Sequence, residues 1–319
     1  MNTNHALMEK KIQLAKMLRS EVTGMIASPL EKNYRARVSM RFNSEGQPCY
    51  NQPGSHTLIP VRECTKADAR INRALADFPN IPTNLKAVEF RSNRDQLQIN
   101  LRSHKGKRPS NSQLKPLLAV ADSVALDGQV VLGLPLLPLN VLGAEHRLHP
   151  QTFYQVNLEV NELLVHEVVS RVIDAEPKSV LDLYSGAGNF SIPLVQRGIK
   201  VTAIESNPHA IRDAHRTVKR LTDQNGSNIF FKKNADRFQA GDYFFDVAIL
   251  DPPRRGAPGV VAELIITRPR HLIYVSCNPK TLGRDIGSAL DAGYKVESLL
   301  GYDMFPLTEH IEALIHLRR

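Results

Sequence analysis

A repeated alternation in the second half of the 319-residue chain constrains the fold most strongly. Short apolar runs that end in, or lead straight into, a polar residue are separated by segments that can form helices; the runs are residues 179–182, 200–205, 245–250 and 272–275. This alternation is typical of a mostly parallel sheet with helices on both faces and ligands at the carboxyl ends of the strands. We therefore predict an α/β, Rossmann-like domain over residues 146–319, with a final strand over 313–317.

The first half has a different pattern of apolar residues. Apolar residues at mostly helical spacing over residues 6–27 predict an amphipathic helix within an N-terminal segment, residues 1–30, which can pack on the C-terminal domain. From Tyr34 to about Leu142, short alternating runs are punctuated by Gly, Pro and Asn. We predict a smaller, basic α+β domain over residues 31–145.

Positive charge is concentrated in that first half. Residues 1–150 contain 21 Lys and Arg against 12 Asp and Glu, whereas residues 151–319 contain 20 of each. The acid-free stretch between Asp95 and Asp122 includes Lys105, Lys107 and Arg108. A basic module joined to a neutral one suggests capture of a polyanion for a separate chemical site, and the alternative is a solvated basic face.

Several classes of protein are excluded by composition. Three cysteines are too few for a disulfide framework or a four-thiolate metal site. No apolar run approaches the roughly 20 residues of a membrane span, and residues 1–11 are polar with no apolar core after them. We expect a cytoplasmic protein that does not bind membranes.

The loop after the first predicted strand has features of a cofactor site. Asp182 is followed by Gly186 and Gly188, which allow a sharp turn and close approach of a ligand. Glu205 ends the next strand, where its carboxylate can accept hydrogen bonds from ribose hydroxyls. Because the third glycine of a pyrophosphate-binding pattern is missing, this combination points to S-adenosylmethionine, with Asp236 a candidate contact for the adenine. Helix capping and surface solvation are the alternative roles of the acids.

The reactive centre is predicted at the ends of the last two parallel strands. Cys277 follows the buried run 272–275, and Asp251 follows the run 245–250. A cysteine at this edge can be a nucleophile, although a buried free cysteine by itself more often serves as a small apolar side chain. Glu309, His310 and Glu312 crowd one turn before the final strand.

At this point the residues resemble a known family, the S-adenosylmethionine-dependent RNA uracil-C5 methyltransferases. Five motifs occur in the family's order: 153–157 (F-x-Q-x-N), 182–190, 251–254, 276–279 and 305–312 (F-P-x-T-x-H-x-E). The resemblance implies a class I Rossmann-like methyltransferase domain with Cys277 as nucleophile and Glu312 as general base, Glu309 and His310 being rivals for the base. The implied binding residues for cofactor are Gln155, Tyr184, Gly186, Glu205 and Asp251, and those for substrate are Gln155, Asp251 and Arg254, with Lys105, Lys107 and Arg108 from the basic stretch.

The implied reaction is methylation of C5 of a specific uridine in structured RNA. Uracil C5 is a weak nucleophile, but addition of a thiolate at C6 makes C5 electron-rich, and a carboxylate must later remove the C5 proton so that the thiol can leave. The sequences of the motifs near Cys277 and Phe305 resemble the branch of the family that acts on 23S ribosomal RNA, which is therefore the favoured substrate, with transfer RNA as the alternative. Cys49 and Cys64 are two thiols too few for the iron–sulfur cluster of many members, so we expect no cluster, and we expect a monomer.

Three other functions compete with this interpretation. A cytosine-C5 RNA methyltransferase resembling the known ones would usually have Pro-Cys where this chain has Pro252 and Pro253. A thiol hydrolase would use Cys277 with His310 and no S-adenosylmethionine. A non-catalytic RNA-binding module with a degenerate methyltransferase domain would keep salt-sensitive RNA affinity without Cys277.

Overall fold

The computed structural model describes residues 3–221, 229–241 and 244–319. The elements of the first half are α1 (Thr3–Leu18), β1 (Gly24–Ile26), β2 (Arg37–Phe42), β3 (Pro48–Asn51), β4 (Leu58–Pro60), α2 (Ala69–Ala76), β5 (Leu85–Ser92), β6 (Leu97–Ser103), α3 (Asn111–Leu114), a 3-10 helix (Lys115–Ala119), β7 (Ser123–Leu126), β8 (Gln129–Gly133), β9 (Leu137–Val141) and β10 (Ala144–Leu148).

The second half continues with alternating helices and strands. They are α4 (Leu158–Asp174), β11 (Val180–Leu183), α5 (Ser191–Gln196), β12 (Val201–Glu205), α6 (Pro208–Leu221), β13 (Ile229–Lys232), a 3-10 helix (Ala235–Arg237), β14 (Val247–Leu250), α7 (Pro258–Thr267), β15 (His271–Ser276), α8 (Pro279–Asp291), β16 (Lys295–Tyr302) and β17 (Glu312–Arg318).

The larger sheet has the strand order β1-β16-β17-β15-β14-β11-β12-β13. Neighbouring strands are parallel except at β17, which runs antiparallel to both β15 and β16. The carboxyl ends of β11, β12, β14 and β15 therefore meet at one edge, and β17 begins at that edge because Ser276 pairs with Ala313. This geometry gathers residues that are far apart in sequence.

Burial on both faces explains why the parallel strands are continuous apolar runs. Alternate residues of β14 and β15, such as Leu250 and Leu272, pack in a core cluster with α1, α7 and α8. The intervening residues, such as Ile249 and Ile273, are also fully buried. A strand covered on both sides loses the apolar–polar alternation of an exposed sheet, so the predicted α/β fold is confirmed.

The smaller sheet has the order β4-β3-β2-β5-β6-β7-β8 and is antiparallel except between β6 and β7. Its core contains Phe90, Ile99 and Leu117. Arg91 is wholly buried and donates hydrogen bonds to the carbonyls of His149, Pro150 and Thr152. These bonds hold residues 149–152, which precede Gln155, against β5.

Contacts divide the chain into two compact units. Unit 1 comprises residues 1–29, 140–146 and 159–319, and unit 2 comprises residues 30–139 and 147–158. This division differs from the predicted boundaries because 140–145 group with unit 1 and 147–158 with unit 2. The predicted domain boundaries stay a prediction.

The predicted N-terminal helix over residues 6–27 is too long. Helix α1 ends at Leu18, and Arg19 has a left-handed φ of 49° that cannot continue a helix. The chain then joins the large sheet: Thr23 N–H donates to the Leu299 carbonyl at 2.8 Å, and β1 pairs in parallel with β16. Pairing with a distant strand overrides the local helical pattern.

Helix α1 packs against α8 and β16 within unit 1. Buried Lys10 forms an ion pair of 2.6 Å with buried Asp303 and donates to the Phe305 carbonyl at 3.3 Å. In the described part of the chain, no helix has the length and apolar character needed to span a membrane.

Candidate active site

Four predicted site residues lie at the carboxyl edge of the large sheet. Cys277 follows β15 directly, Asp251 follows β14, and Glu205 ends β12. Glu312 begins the antiparallel β17, and the pairing of Ser276 with Ala313 brings it beside Cys277. The register of the sheet thus brings together side chains from both ends of the second half.

The Cys277 thiol is free and half-buried. Its pKa is raised to about 11, first by burial and then by the negative charges of Glu312 and Asp251, while Arg254 acts in the opposite direction. The thiol is therefore protonated at neutral pH. A reaction through the thiolate needs a proton acceptor beside it.

Two carboxyl groups next to this thiol have raised pKa values. Burial raises the pKa of Asp251 to about 7. The pKa of Glu312 is raised well above its usual range, first by burial and then by Asp251. A carboxyl group with a pKa near 7, such as Asp251, can hold or accept a proton near neutral pH, which suits acid–base chemistry.

The rivals of Glu312 differ from it in burial. Glu312 is buried, whereas the side chains of Glu309 and His310 are exposed. The Phe305 ring lies 5.8 Å from the His310 ring in an edge-to-face arrangement. Among these three, the structure gives an electrostatic interaction with Cys277 for Glu312 alone.

The loop after β11 turns sharply. Tyr184, Gly186 and Gly188 have φ angles of 63°, 56° and 90°. A Cβ atom at Gly186 would meet nothing within 4 Å, so the loop borders open space. The glycines allow the backbone to reverse into α5 while leaving room for a ligand.

Glu205 is held by backbone donors next to this loop. One carboxylate oxygen accepts from Gly186 N–H at 3.0 Å, and the other accepts from Ser206 and Asn207 N–H at 2.7 and 2.6 Å. These bonds fit the alternative capping role of Glu205, and its predicted role in cofactor binding stays a prediction.

Asp182 is a fully buried acid beneath the loop. Ser191 donates a hydrogen bond to one of its oxygens, whereas Oδ1 has no partner among the residues that the structure describes. Burial first, together with Asp251 and Glu205, raises the pKa of Asp182 to about 7, although Ser191 lowers it. The buried Ser185 hydroxyl likewise has no partner in the described part of the chain. These polar atoms suit a ligand that supplies donors and acceptors.

Asp236 forms a small network on the far side of the loop. Tyr184 donates a hydrogen bond of 2.6 Å to Asp236, and Arg255 forms an ion pair with its other oxygen. Tyr184 and Asp236 are among the residues predicted from the sequence, whereas Arg255 is not. Its position next to Arg254 in the 251–256 loop was the available signal.

Of the other predicted residues, Arg254 lies on the loop after β14 and the rest lie in unit 2. Arg254 has an exposed side chain, and its carbonyl accepts from Asn278 and Thr281. In unit 2, Gln155 is half-buried in the segment before Asn157, and the Arg37 guanidinium lies 4.7 Å from the centre of the exposed Phe153 ring. The remaining three are exposed in the loop between β6 and α3; they are Lys105, Lys107 and Arg108.

The other two cysteines lie in unit 2. Cys49 is buried in β3, and Cys64 accepts a 3.5 Å hydrogen bond from the Tyr50 hydroxyl. Neither forms a disulfide. The expected lack of an iron–sulfur cluster stays a prediction.

Known proteins are similar to this chain in sequence. A family model described as tRNA (Uracil-5-)-methyltransferase matches residues 136–319. The 23S rRNA (uracil(1939)-C(5))-methyltransferase RlmD of Klebsiella pneumoniae subsp. pneumoniae is 29% identical over 343 residues, covering 97% of this chain and 76% of that protein. RlmD of Edwardsiella ictaluri is 30% identical over 338 residues, covering 96% and 75%.

A solved structure has the same fold. It is the tRNA (uracil-54, C5)-methyltransferase of Pyrococcus abyssi in complex with S-adenosyl-L-homocysteine, with a TM-score of 0.81 and 24% identity. The match covers 99% of this chain and 84% of that one. The similarity therefore extends over both units.

Proposed function

The chain belongs to the tRNA (uracil-5-)-methyltransferase family, and we propose that it methylates C5 of one uridine in structured RNA through a covalent bond between Cys277 Sγ and C6 of uracil. 23S ribosomal RNA is the favoured substrate because the sequence relatives are named for it, and transfer RNA is the alternative. The observation that carries the proposal is the convergence of Cys277, Asp251 and Glu312 at one sheet edge.

The residues of the loop after β11 fit S-adenosylmethionine as the cofactor. The unpartnered Asp182 Oδ1 and Ser185 hydroxyl, judged over the described residues, offer hydrogen-bonding groups, the space at Gly186 is open, and Glu205 is held in place. When bound, this group supplies an electrophilic methyl to the uracil carbon that the protein has activated.

The protein's own residues account for the other steps. Cys277 loses its proton as Sγ bonds to C6, and the neighbouring Asp251 carboxylate is the acceptor at hand, which leaves Glu312 for the later step. This addition moves electron density to C5. After methylation, the Glu312 carboxylate accepts the C5 proton, the electrons of the C5–H bond form the C5–C6 double bond, and the C6–S bond breaks with its electrons returning to sulfur.

The substrate also has requirements. A paired uridine cannot present C6 to a thiol, so the target must lie in a loop or be flipped out of its stack. Unit 2 contains 17 Lys and Arg against 9 Asp and Glu, which suits contact with phosphates. Cytoplasmic location and a monomeric state stay predictions.

The test compares Cys277→Ala with Cys64→Ala, a control at a cysteine outside unit 1. RNA from cells that lack the protein is incubated with each variant, and 5-methyluridine and 5-methylcytidine are mapped by mass spectrometry. We expect Cys277→Ala to abolish 5-methyluridine formation while S-adenosylhomocysteine still binds. Full turnover by this variant would reject the covalent mechanism, and 5-methylcytidine as the product would favour the cytosine enzyme.

A further inference from the structure

A buried carboxylate next to the candidate active site has no role in the steps above. Asp285 lies in α8 and is almost fully buried. It accepts hydrogen bonds from the Tyr274 hydroxyl at 2.7 Å, from Ala257 N–H at 2.6 Å and from Arg284 Nε at 2.8 Å. One side chain thereby connects a helix, a strand and a loop.

The strand and the loop carry proposed active-site residues. Tyr274 is three positions before Cys277 in the chain, and Ala257 ends the loop that begins with Asp251. Asp285 therefore connects the strand that leads to Cys277 with the loop that begins at Asp251, whose carboxylate adds to the effect of burial in raising the pKa of Cys277. Strand β14, which leads into this loop, and β15, which leads to Cys277, are neighbouring parallel strands in the sheet.

The same helix end binds the loop at further points. Thr281 Oγ1 donates to the Arg254 carbonyl at 3.2 Å, and an Arg284 guanidinium nitrogen donates to the Arg255 carbonyl at 2.7 Å. Asn278, which caps α8, donates to the Arg254 carbonyl at 3.1 Å. Asp285 is the buried member of this set, where solvent competes least for its hydrogen bonds.

A glycine lets the loop approach Asp285 closely. Gly256 has a φ of 75°, and a Cβ atom there would collide with the Asp285 carboxylate and with the Arg284 guanidinium. Both the backbone angle and the contact therefore favour glycine at this position.

We propose that Asp285 is a positioning residue that fixes the 251–257 loop against β15 and so sets the geometry between Asp251 and Cys277. This inference rests on the proposed function, because it takes Cys277 as the nucleophile. Small errors in the placement of reacting groups are costly: a shift of about 1 Å can reduce a rate about 100-fold.

The test uses Asp285→Asn, with Asp291→Asn as the matched control on the same helix. An asparagine keeps one acceptor oxygen but presents an NH2 group to donors, so at least one of the three hydrogen bonds is lost. Asp291 is exposed at the end of α8. We expect kcat for RNA methylation to fall about 10- to 100-fold in Asp285→Asn, with the KM for S-adenosylmethionine little changed and the control like the unmodified protein.

A second readout separates positioning from general destabilisation. Burial and Asp251 raise the pKa of Cys277, and Arg254 on the same loop opposes them as a smaller effect. Release of the loop should therefore shift the pH dependence of Cys277 alkylation by iodoacetamide to lower pH. A variant that is folded at the assay temperature, with unchanged kcat and an unchanged alkylation profile, would overturn the proposal.

Gly256→Ala tests the same contact from the loop side without removing the carboxylate. We expect it to reproduce both effects of Asp285→Asn, whereas Tyr274→Phe, which removes one of the three donors, should have a smaller effect. If Cys277→Ala remains active, the proposed function fails. If Cys277→Ala is inactive but Asp285→Asn and Gly256→Ala behave normally, only the positioning role is rejected.

Discussion

The carboxylate of Glu205 accepts a 3.0 Å hydrogen bond from the backbone N–H of Gly186. The bond joins the end of β12 to the loop that follows the neighbouring strand β11. Together with Ser206 and Asn207 N–H, it leaves the carboxylate oriented by three backbone donors before any ligand arrives. A group oriented in advance loses less freedom when it binds.

We expect Glu205→Gln to weaken binding of S-adenosylhomocysteine about 10- to 100-fold, because hydrogen bonds to a charged group contribute about 1.5–3 kcal/mol. The amide also places an NH2 group opposite a backbone donor. Isothermal titration calorimetry measures the effect, with Glu162→Gln on the exposed side of α4 as the control. An unchanged dissociation constant would remove Glu205 from the site.

Glu312→Gln should trap the covalent enzyme–RNA adduct, because addition and methylation precede the removal of the C5 proton. The adduct would migrate slowly in a denaturing gel. The matched control is Glu309→Gln, in which the same substitution affects an exposed acid in the same turn. An adduct with Glu309→Gln instead would reassign the base.

Asp251→Asn should speed alkylation of Cys277 at pH 9 while reducing methylation. The negative charge of Asp251 raises the thiol's pKa, so its removal lowers the pKa from about 11 and increases the thiolate fraction. Peptide mass spectrometry after iodoacetamide treatment measures the rate, with Cys64 as an internal reference. Unchanged or slower labelling of Cys277 would show that Asp251 does not act on the thiol.

Much of the fold and part of this site follow from sequence. The apolar runs beginning at 179, 200, 245 and 272 correspond to β11, β12, β14 and β15, and each boundary agrees within two residues. Strands buried on both faces are continuous apolar runs, so their positions are readable without a partner.

What sequence could not predict depends on long-range pairing. Strand β1 forms only because β16 offers it an edge, and local spacing favours a helix there. Asp285 lies among Leu282, Ile286 and Ala289 on the buried face of α8. That pattern reveals an acid on an apolar face, but its partners Tyr274 and Ala257 become neighbours only in the folded chain.

Asp182→Asn should stabilise the free protein at pH 8.5 and not at pH 4. The pKa of Asp182 is raised to about 7 in the folded state, so its contribution to stability is fully present below the unfolded-state pKa of about 3.9. This contribution is lost as pH rises from there through 7. The neutral amide avoids this loss. The loss can reach about 4 kcal/mol, because the pKa rises by about three units and each unit corresponds to roughly 1.4 kcal/mol.

Urea unfolding at the two pH values measures this difference, and Asp291→Asn serves as an exposed control. The amide oxygen of the substituted side chain can still accept a hydrogen bond from the Ser191 hydroxyl, so the variant should fold. Equal stability of Asp182→Asn and the unmodified protein at pH 8.5 would contradict a raised pKa of Asp182 in the folded state.

Neutralising Lys105, Lys107 and Arg108 together should weaken RNA binding and flatten its salt dependence, because fewer counterions are released. The matched control neutralises Lys178, Lys200 and Lys295, three exposed cations that precede or begin strands β11, β12 and β16. These lie at the sheet edge opposite Cys277. Filter binding over a salt series measures the slopes, and equal slopes for the two triple variants would return the loop to the solvated-face interpretation.

Unit 1 is assembled from three separate stretches of chain. Thr23 and Leu299, which are hydrogen-bonded to each other, are 276 positions apart. On a translating ribosome, the apolar face of α1 and the open edge of β1 must wait for almost the whole chain before their partners emerge. We therefore expect chaperones that shield apolar helices to matter more for this protein than for a chain whose units are contiguous.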